Sequence, residues 1–368
     1  MKYSVIIPTC SSDRGLLNDV ISLIYEKNSN RNEYEIIIVS NGQSDDVNKF
    51  LLSKSKEYDN FKVLIFDKPL GYSRAINIGV SNSSGEYLVL YNDDLYVYTD
   101  GWLDRMFDMF SEDERIGATG INLYWSLVKS EEYFGMFHAF VFIAFTLVML
   151  KRKVFEELGG LDESYLYAGV EDVDFCYRMI LRGYIFSYSH LLYRHIDKHS
   201  RSKDSLWKNY ENRNTLFFFN KNRMVFSSKT VTLVYLIRKF VEIDDINKIF
   251  DFNADKNYNT LFLTTDLDFY FKWHNVLKKG SESFWKDASL IYIKEYVNSF
   301  TEFLIEVFNL TFTNKVIIVS DDYYLENKDT FYKHIEEFIS LLDKTGFSSD
   351  EKYPSFDNFK YLLINKKI

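Results

Sequence analysis

Three groups of residues have the types and spacing to do chemistry together. The first is Asn92-Asp93-Asp94, which comes after the apolar run Tyr87-Leu88-Val89-Leu90-Tyr91. At a strand end alternate residues point the same way, so Asn92 and Asp94 can face one ligand. Hard divalent cations that also bind phosphates take one or two protein carboxylates and complete their shell with phosphate oxygens and water. An Asp-rich turn uses the same residues, so the cluster alone leaves both readings open. The second group is Glu171-Asp172, opening the segment that ends in Val173-Asp174-Phe175-Cys176-Tyr177-Arg178. Adjacent carboxylates there can supply a general base, although acids at a helix N-terminus also answer the helix dipole with no catalytic role. The third is His195-Ile196-Asp197-Lys198-His199. Two histidines four apart suit zinc, but no glutamate of an H-E-x-x-H motif lies between them. One imidazole completing a divalent-metal shell is the more economical reading.

The elements that must position these groups can be read from short apolar runs. Residues 3–8, 35–40, 62–66 and 86–91 are β-branched or aromatic, without clean alternation. Between them lie helical spacings: Leu16, Leu17, Val20, Ile21 and Ile24, then Val47, Phe50, Leu51 and Leu52. Such a pattern predicts a mostly parallel sheet covered by helices on both faces, an α/β fold. Ligands of these sheets bind beyond the carboxyl ends of the strands. The residues found there are small, polar or acidic: Pro8-Thr9-Cys10-Ser11-Ser12-Asp13, Asn41-Gly42-Gln43-Ser44-Asp45-Asp46, and Asn92-Asp93-Asp94. None is a dinucleotide fingerprint or a P-loop. Gly159-Gly160 should end a short helix begun near Lys153. Residues 230–310 read as mostly helical and aromatic, followed by a strand at Val316-Ile317-Ile318-Val319 and an amphipathic helix over roughly 326–343. The division expected is 1–225 for the catalytic domain and 226–368 for a mainly helical extension.

Composition narrows the function. The chain has 368 residues, 46% hydrophobic and 26% charged, enough for a sizeable core. A net charge of −9 disfavours a nucleic-acid binder held by phosphate contacts. Cys10 and Cys176 form no CxxC pair and read as reduced thiols, which fits a cytoplasmic protein. The first residues are too short an apolar run for a signal peptide. The longest apolar stretch, Phe137 to Leu150, falls short of the roughly 18 residues that span a bilayer and reads as one or two buried strands.

Taken in order, SVIIPT, IIIVSNGQSDD, GYSRAINIG, SGEYLVLYNDD, GWL at 101–103, LGGLDESYLYAGVEDVDFCYR and the histidine of YRHIDKHS resemble a family 2 glycosyltransferase of the GT-A fold, in the flavour of bacterial surface-polysaccharide enzymes. The resemblance covers about residues 3–225. It implies a nucleotide-sugar donor (UDP- or dTDP-linked), a hexose or deoxyhexose to transfer, and a glycan or lipid-linked acceptor. It also implies Mn²⁺ or Mg²⁺, held by Asp94, with Asp93 as the alternative ligand, and by His195, with His199 as the alternative. Asn92 stands where the family has the first acid of D-x-D, and an amide there can still bond ribose or a bound water. Pro8 and Thr9 resemble the base-binding edge, Asn41 falls where the family sets an acid or amide against the base, and Arg74 and Asn77 match a helix lining the donor pocket. Asp172 matches the family's base, with Glu171 beside it to position the acceptor or share the proton. Tyr165 and Tyr167 are candidates for shaping the acceptor site or for core packing.

Two rival readings remain. A nucleotidyltransferase would need a Gly-rich, Lys- or Arg-bearing loop after the first strand to hold a triphosphate, and none is present. A glycan-binding or scaffolding protein that has lost catalysis is favoured only by Asn92. The tail sequence Val316-Ile317-Ile318-Val319-Ser320-Asp321-Asp322 also ends a strand in two acids, but no E-D pair comes after it, so helix capping is the better reading there. A lipid-linked acceptor would bring the protein to the inner membrane face, though no basic amphipathic helix demands it.

Overall fold

The computed structural model describes residues 1–121, 123–125, 141–196, 206–222, 231–238, 243–256, 258–270, 290–294, 296–311, 315–344, 347–349 and 361–365. The chain divides into two compact units, Met1–Tyr210 and Glu211–Ile368. The division falls inside the helix Trp207–Lys221, upstream of the 225/226 division expected.

The first unit opens with β1 (Tyr3–Thr9), α1 (Arg14–Lys27), β2 (Tyr34–Asn41), α2 (Asp45–Glu57), β3 (Phe61–Phe66), α3 (Tyr72–Ser81) and β4 (Tyr87–Tyr91). The four strands with α1 and α2 are the elements that the apolar runs predict, and α3 is the helix that the resemblance implies over GYSRAINIG. Leu16, Leu17, Val20, Ile21 and Ile24 are all buried on α1, and Val47 and Leu51 on α2, while Leu52 is exposed. Each of these two helices starts on a side-chain cap. Asp13 Oδ1 accepts from Leu16 N at 3.0 Å and Ser44 Oγ from Val47 N at 3.5 Å, filling donors that a helix start leaves open.

Beyond β4 come β5 (Leu95–Val97), α4 (Trp102–Asp108), β6 (Ile116–Gly120), β7 (Leu123–Trp125), β8 (Val141–Ile143), β9 (Leu147–Lys151), α5 (Arg152–Glu157), α6 (Glu171–Leu181), β10 (Ile185–Tyr188) and β11 (Tyr193–His195). The apolar stretch 137–150 therefore supplies β8 and most of β9, with 137–140 outside the described residues. The main sheet has the order β10-β6-β9-β4-β1-β2-β3. β1 lies parallel to both β2 and β4, and β9 alone runs against its neighbours β4 and β6. Chain order reverses at β1, so the crevice beyond β1 and β4 is the switch point where open α/β sheets bind ligands. The inner strands β1, β2, β4, β6 and β9 are buried almost without interruption, as in β1, where Val5, Ile6 and Ile7 are fully covered, while the edge strands β3 and β10 are partly exposed. Sheets with helices on both faces bury their inner strands in this way.

The second unit holds most of α7 (Trp207–Lys221), then β12 (Val231–Ile237), α8 (Ile243–Asp255), β13 (Asn259–Thr264), β14 (Leu290–Tyr292), α9 (Phe300–Leu310), β15 (Lys315–Ser320), α10 (Asp321–Glu326), α11 (Phe331–Lys344), β16 (Phe347–Ser349) and β17 (Tyr361–Asn365). The helices expected of the tail are present, but they accompany a six-stranded sheet of order β14-β13-β12-β15-β17-β16. Of these strands the sequence pattern predicts only β15. β12 is seven consecutive buried residues, and a continuous apolar run does not separate a buried strand from a buried helix by period. Ser320 caps α10 by accepting from Tyr323 N, and Asp321 and Asp322 pair with Arg238, so these two acids are structural. Among the described residues no helix is long and apolar enough to cross a membrane.

Candidate active site

The site is assembled at the carboxyl ends of β1 and β4. Thr9, the last residue of β1, donates from Oγ1 to Asp93 Oδ2 at 2.5 Å. The same oxygen accepts from Ser11 N at 3.2 Å and from Gln43 Nε2 at 3.5 Å. Burial pushes the Asp93 carboxyl up to about 6; the Thr9 hydroxyl opposes that rise and the neighbouring Asp94 adds to it. Asp93 is thus tied inward to β1.

Asp94 faces the other way. Its Oδ1 lies 3.1 Å from His195 Nε2. Backbone pairing creates this contact between residues 101 apart. β5 and β11 form a two-stranded antiparallel ribbon with His195 opposite Leu95, and Ile196 N donates to Asp94 O at 3.0 Å. The histidine is three-quarters covered. Octahedral ions holding ligands at about 2.1 Å set adjacent ligand atoms about 3 Å apart, so the Asp94–His195 spacing fits two neighbouring positions on one such ion. Among the described residues no cluster of three or more His, Cys, Asp or Glu could hold a metal; the pair would leave most of a shell to phosphate and water. His199 lies outside the described residues.

A segment to which the sequence motifs do not point, Phe145-Thr146, joins β4 to α6. Asn92 N donates to Thr146 O at 3.0 Å, Phe145 N points at Asp172 Oδ2 at 3.5 Å, and Tyr72 Oη donates to Phe145 O at 3.1 Å. These contacts use the main chain of an apolar run, so no residue type advertises them. Asp172 is half-buried at the second position of α6, and Glu171, at the first, is buried. The positive end of the helix favours negative charge at both.

The loop into α6 has an unusual backbone. Tyr167 and Val170 both have positive φ, 60° and 73°, and Gly169 lies at 102°. A β-branched residue in the left-handed region costs about 1–3 kcal/mol, and such strain collects at functional sites. The loop is held from outside: Tyr167 O accepts from Tyr72 N at 2.6 Å, and the Tyr167 ring stacks on Tyr210 with centroids 5.1 Å apart. Gly71 makes the first contact feasible, because a Cβ there would sit 3.2 Å from Tyr167 O at a φ of +82°.

The remaining expected residues divide. Asn41 Oδ1 accepts from Leu70 N at 2.5 Å, bracing the β2 end against the loop before α3, and Pro8 sits in β1 opposite Val39. Asn77 spends its amide on Leu161 O at 2.8 Å, Leu161 N at 3.0 Å and Glu163 Oε1 at 3.0 Å, so it works as a clamp on the 161–163 loop. Arg74 keeps an exposed guanidinium 3.9 Å from Glu163. Tyr165 is buried and donates to Asp174 Oδ1 at 3.0 Å, which is core packing. Asp174 is fully buried and also takes Arg178 Nε at 2.8 Å; Arg178 in turn donates to Leu158 O and Gly160 O. This network fastens the turn at Gly159-Gly160, both of positive φ, to α6. Neither Cys10 nor Cys176 is in a disulfide.

Residues 4–159 match the family described as Glycosyl transferase family 2. This segment of the chain is similar to that family. The chain is 30% identical over 154 residues to the glycosyltransferase AglE of Haloferax volcanii, covering 41% of this chain and 47% of that protein. It is 26% identical over 210 residues to the O-antigen biosynthesis protein RfbC of Myxococcus xanthus, covering 50% and 16%. The chain thus spans less than half the length of these curated relatives. Among solved structures it is similar to the mannosyltransferase PcManGT of Pyrobaculum calidifontis in complex with GDP-Man and Mn²⁺, with 17% identity, a TM-score of 0.46, and 61% and 64% of the two chains covered.

Proposed function

We propose that this chain is a family 2 glycosyltransferase that moves a hexose or deoxyhexose from a UDP- or dTDP-sugar to a glycan or lipid-linked acceptor in polysaccharide synthesis, with inversion at the anomeric carbon. The observation that carries the reading is the pairing of Asp94 with His195 beside the Thr9–Asp93 contact, at the switch point of the sheet. Donor binding falls to the edge made by Pro8, Thr9 and Asn41, to Asn92 and Asp93 at the β4 end, and to Arg74 with its exposed guanidinium; Asn77 supports α3 behind it. Asp94 and His195 would hold Mn²⁺ or Mg²⁺, which when bound neutralises charge on the departing diphosphate.

The chain's own residues do the rest. Asp172 takes the proton of the acceptor hydroxyl as that oxygen attacks the anomeric carbon opposite the leaving group. One displacement inverts the configuration, and no carboxylate nucleophile is needed. Glu171 stands beside Asp172 to orient the acceptor. The test is Asp172→Asn, which keeps shape and removes the base. Transfer should be abolished while nucleotide binding, read by thermal shift, stays within a few-fold of wild type. Full transfer by the variant removes Asp172 from this role, and donor binding without turnover by the wild-type chain favours a glycan-binding protein instead.

A further inference from the structure

Tyr72 is the first residue of α3, on the donor side of the site, yet its two polar groups reach the two segments that hold Asp172. Its N–H donates to Tyr167 O at 2.6 Å, in the left-handed loop that leads into α6. Its hydroxyl donates to Phe145 O at 3.1 Å. Phe145 is itself docked on α6 twice: its N–H faces Asp172 Oδ2 at 3.5 Å, and its buried ring meets Phe175 edge-on at 5.8 Å. The junction is built rather than incidental, since only glycine at position 71 lets α3 approach the Tyr167 carbonyl this closely.

We propose that Tyr72 is a positioning residue for the Asp172 carboxylate, so that one side chain sets the donor-side helix and the acceptor-side acid relative to each other. The inference rests on the reading of Asp172 as the base. The two carboxylate oxygens are held differently. Oδ1 accepts from Val173 N at 2.8 Å, within α6 itself, whereas Oδ2 faces the main chain of Phe145 across 3.5 Å. At 3.5 Å this contact lies at the edge of hydrogen-bonding range, so whether it is made depends on where the Phe145 backbone is set. The Tyr72 hydroxyl pins Phe145 O, and the Tyr72 N–H holds Tyr167, three residues before Val170 at the head of α6. Both sides of the Asp172 environment are thereby fixed to α3. A base displaced by about 1 Å loses on the order of a hundredfold in rate, so a single hydroxyl acting at this distance can matter without touching substrate.

Tyr72→Phe removes only the hydroxyl and keeps the ring and the backbone contact. Two measurements on the full chain read its effect. Hydrogen–deuterium exchange should speed up several-fold at 145–147 and 171–175 while the α3 core, 75–80, stays as in wild type. In the release of nucleoside diphosphate from a panel of UDP-, dTDP- and GDP-sugars with water as acceptor, kcat should fall about tenfold, with donor KM within about twofold of wild type. Tyr72→Gln, which keeps a donor, should recover part of both. Unchanged exchange at 145–147 and 171–175 in the folded variant overturns the proposal, as does a wild-type kcat. Should Tyr72→Phe not fold, Tyr72→Gln with exchange identical to wild type but a clearly lower kcat overturns it as well. The underlying base assignment fails separately: an active Asp172→Asn removes it whatever Tyr72→Phe does.

Discussion

Thr9 Oγ1 donates to Asp93 Oδ2 across 84 residues of chain, and the bond ties the ends of β1 and β4 together inside the site. It satisfies a carboxylate that burial has already pushed up toward neutrality. With Asp93 turned inward, Asp94 is the acid left facing His195.

Thr9→Val keeps the shape of that contact and removes its donor. Leaving a buried carboxylate short of a partner costs about 1–3 kcal/mol, which for a domain of this size is a melting point lower by roughly 4–8 °C in the middle of the range. Thermal unfolding of the variant checks this, and a melting point equal to wild type contradicts it.

Arg178→Met tests the claim that Asp174 is structural. The substitution strips the 2.8 Å contact from a fully buried carboxylate and frees the carbonyls of Leu158 and Gly160. Removing one partner of a buried ion pair costs about 3–5 kcal/mol, readable as a lower urea midpoint at unchanged slope. A loss below about 1 kcal/mol would place the pair among surface bridges and undo the assignment.

Glu35 makes a pH prediction with a definite sign. Burial works to raise its carboxyl, but hydrogen bonds from Ser84 N, Ser4 Oγ and Ser84 Oγ, with Lys62 nearby, hold it below the ordinary 4.5. Its Oε1 accepts those three bonds at 2.6 to 2.8 Å. A depressed carboxylate contributes stability above its unfolded value and loses it as pH falls through the lower folded one. Glu35→Gln should therefore be less stable than wild type at about pH 7, with the gap closing below the ordinary value of 4.5. A stability difference that stays constant between the two proteins from about pH 7 down to about pH 3 contradicts the account.

Much of this architecture is legible in the sequence, for stated physical reasons. The runs at 3–8, 35–40, 62–66 and 86–91 form β1 to β4 because β-branched runs between helical spacings have few other uses in an α/β chain. Asp94 and His195, distant in sequence, stand out by residue type and motif order, and the β5–β11 ribbon brings them together. Phe145-Thr146 stays hidden because it acts through its backbone. Asn77 matches a donor contact by motif, yet its amide is bound to Leu161 and Glu163, which no single position reveals. The sheet of the second unit is not legible at β12 and β13, where the spacing of apolar residues does not distinguish a buried strand from a buried helix.

The most direct measurement is a thermal-shift panel of UDP, dTDP, GDP and CMP, with and without Mn²⁺, on the wild-type chain, Asp94→Ala and His195→Ala. A ligand that binds only the folded state adds about 2.7 kcal/mol at a hundredfold excess over its Kd. One nucleoside diphosphate should raise the wild-type melting point only with metal, and either substitution should remove most of that rise. A rise that is equal without metal, or unchanged in both variants, contradicts the Asp94–His195 site; no rise with any nucleotide well above millimolar contradicts donor binding at this end of the sheet.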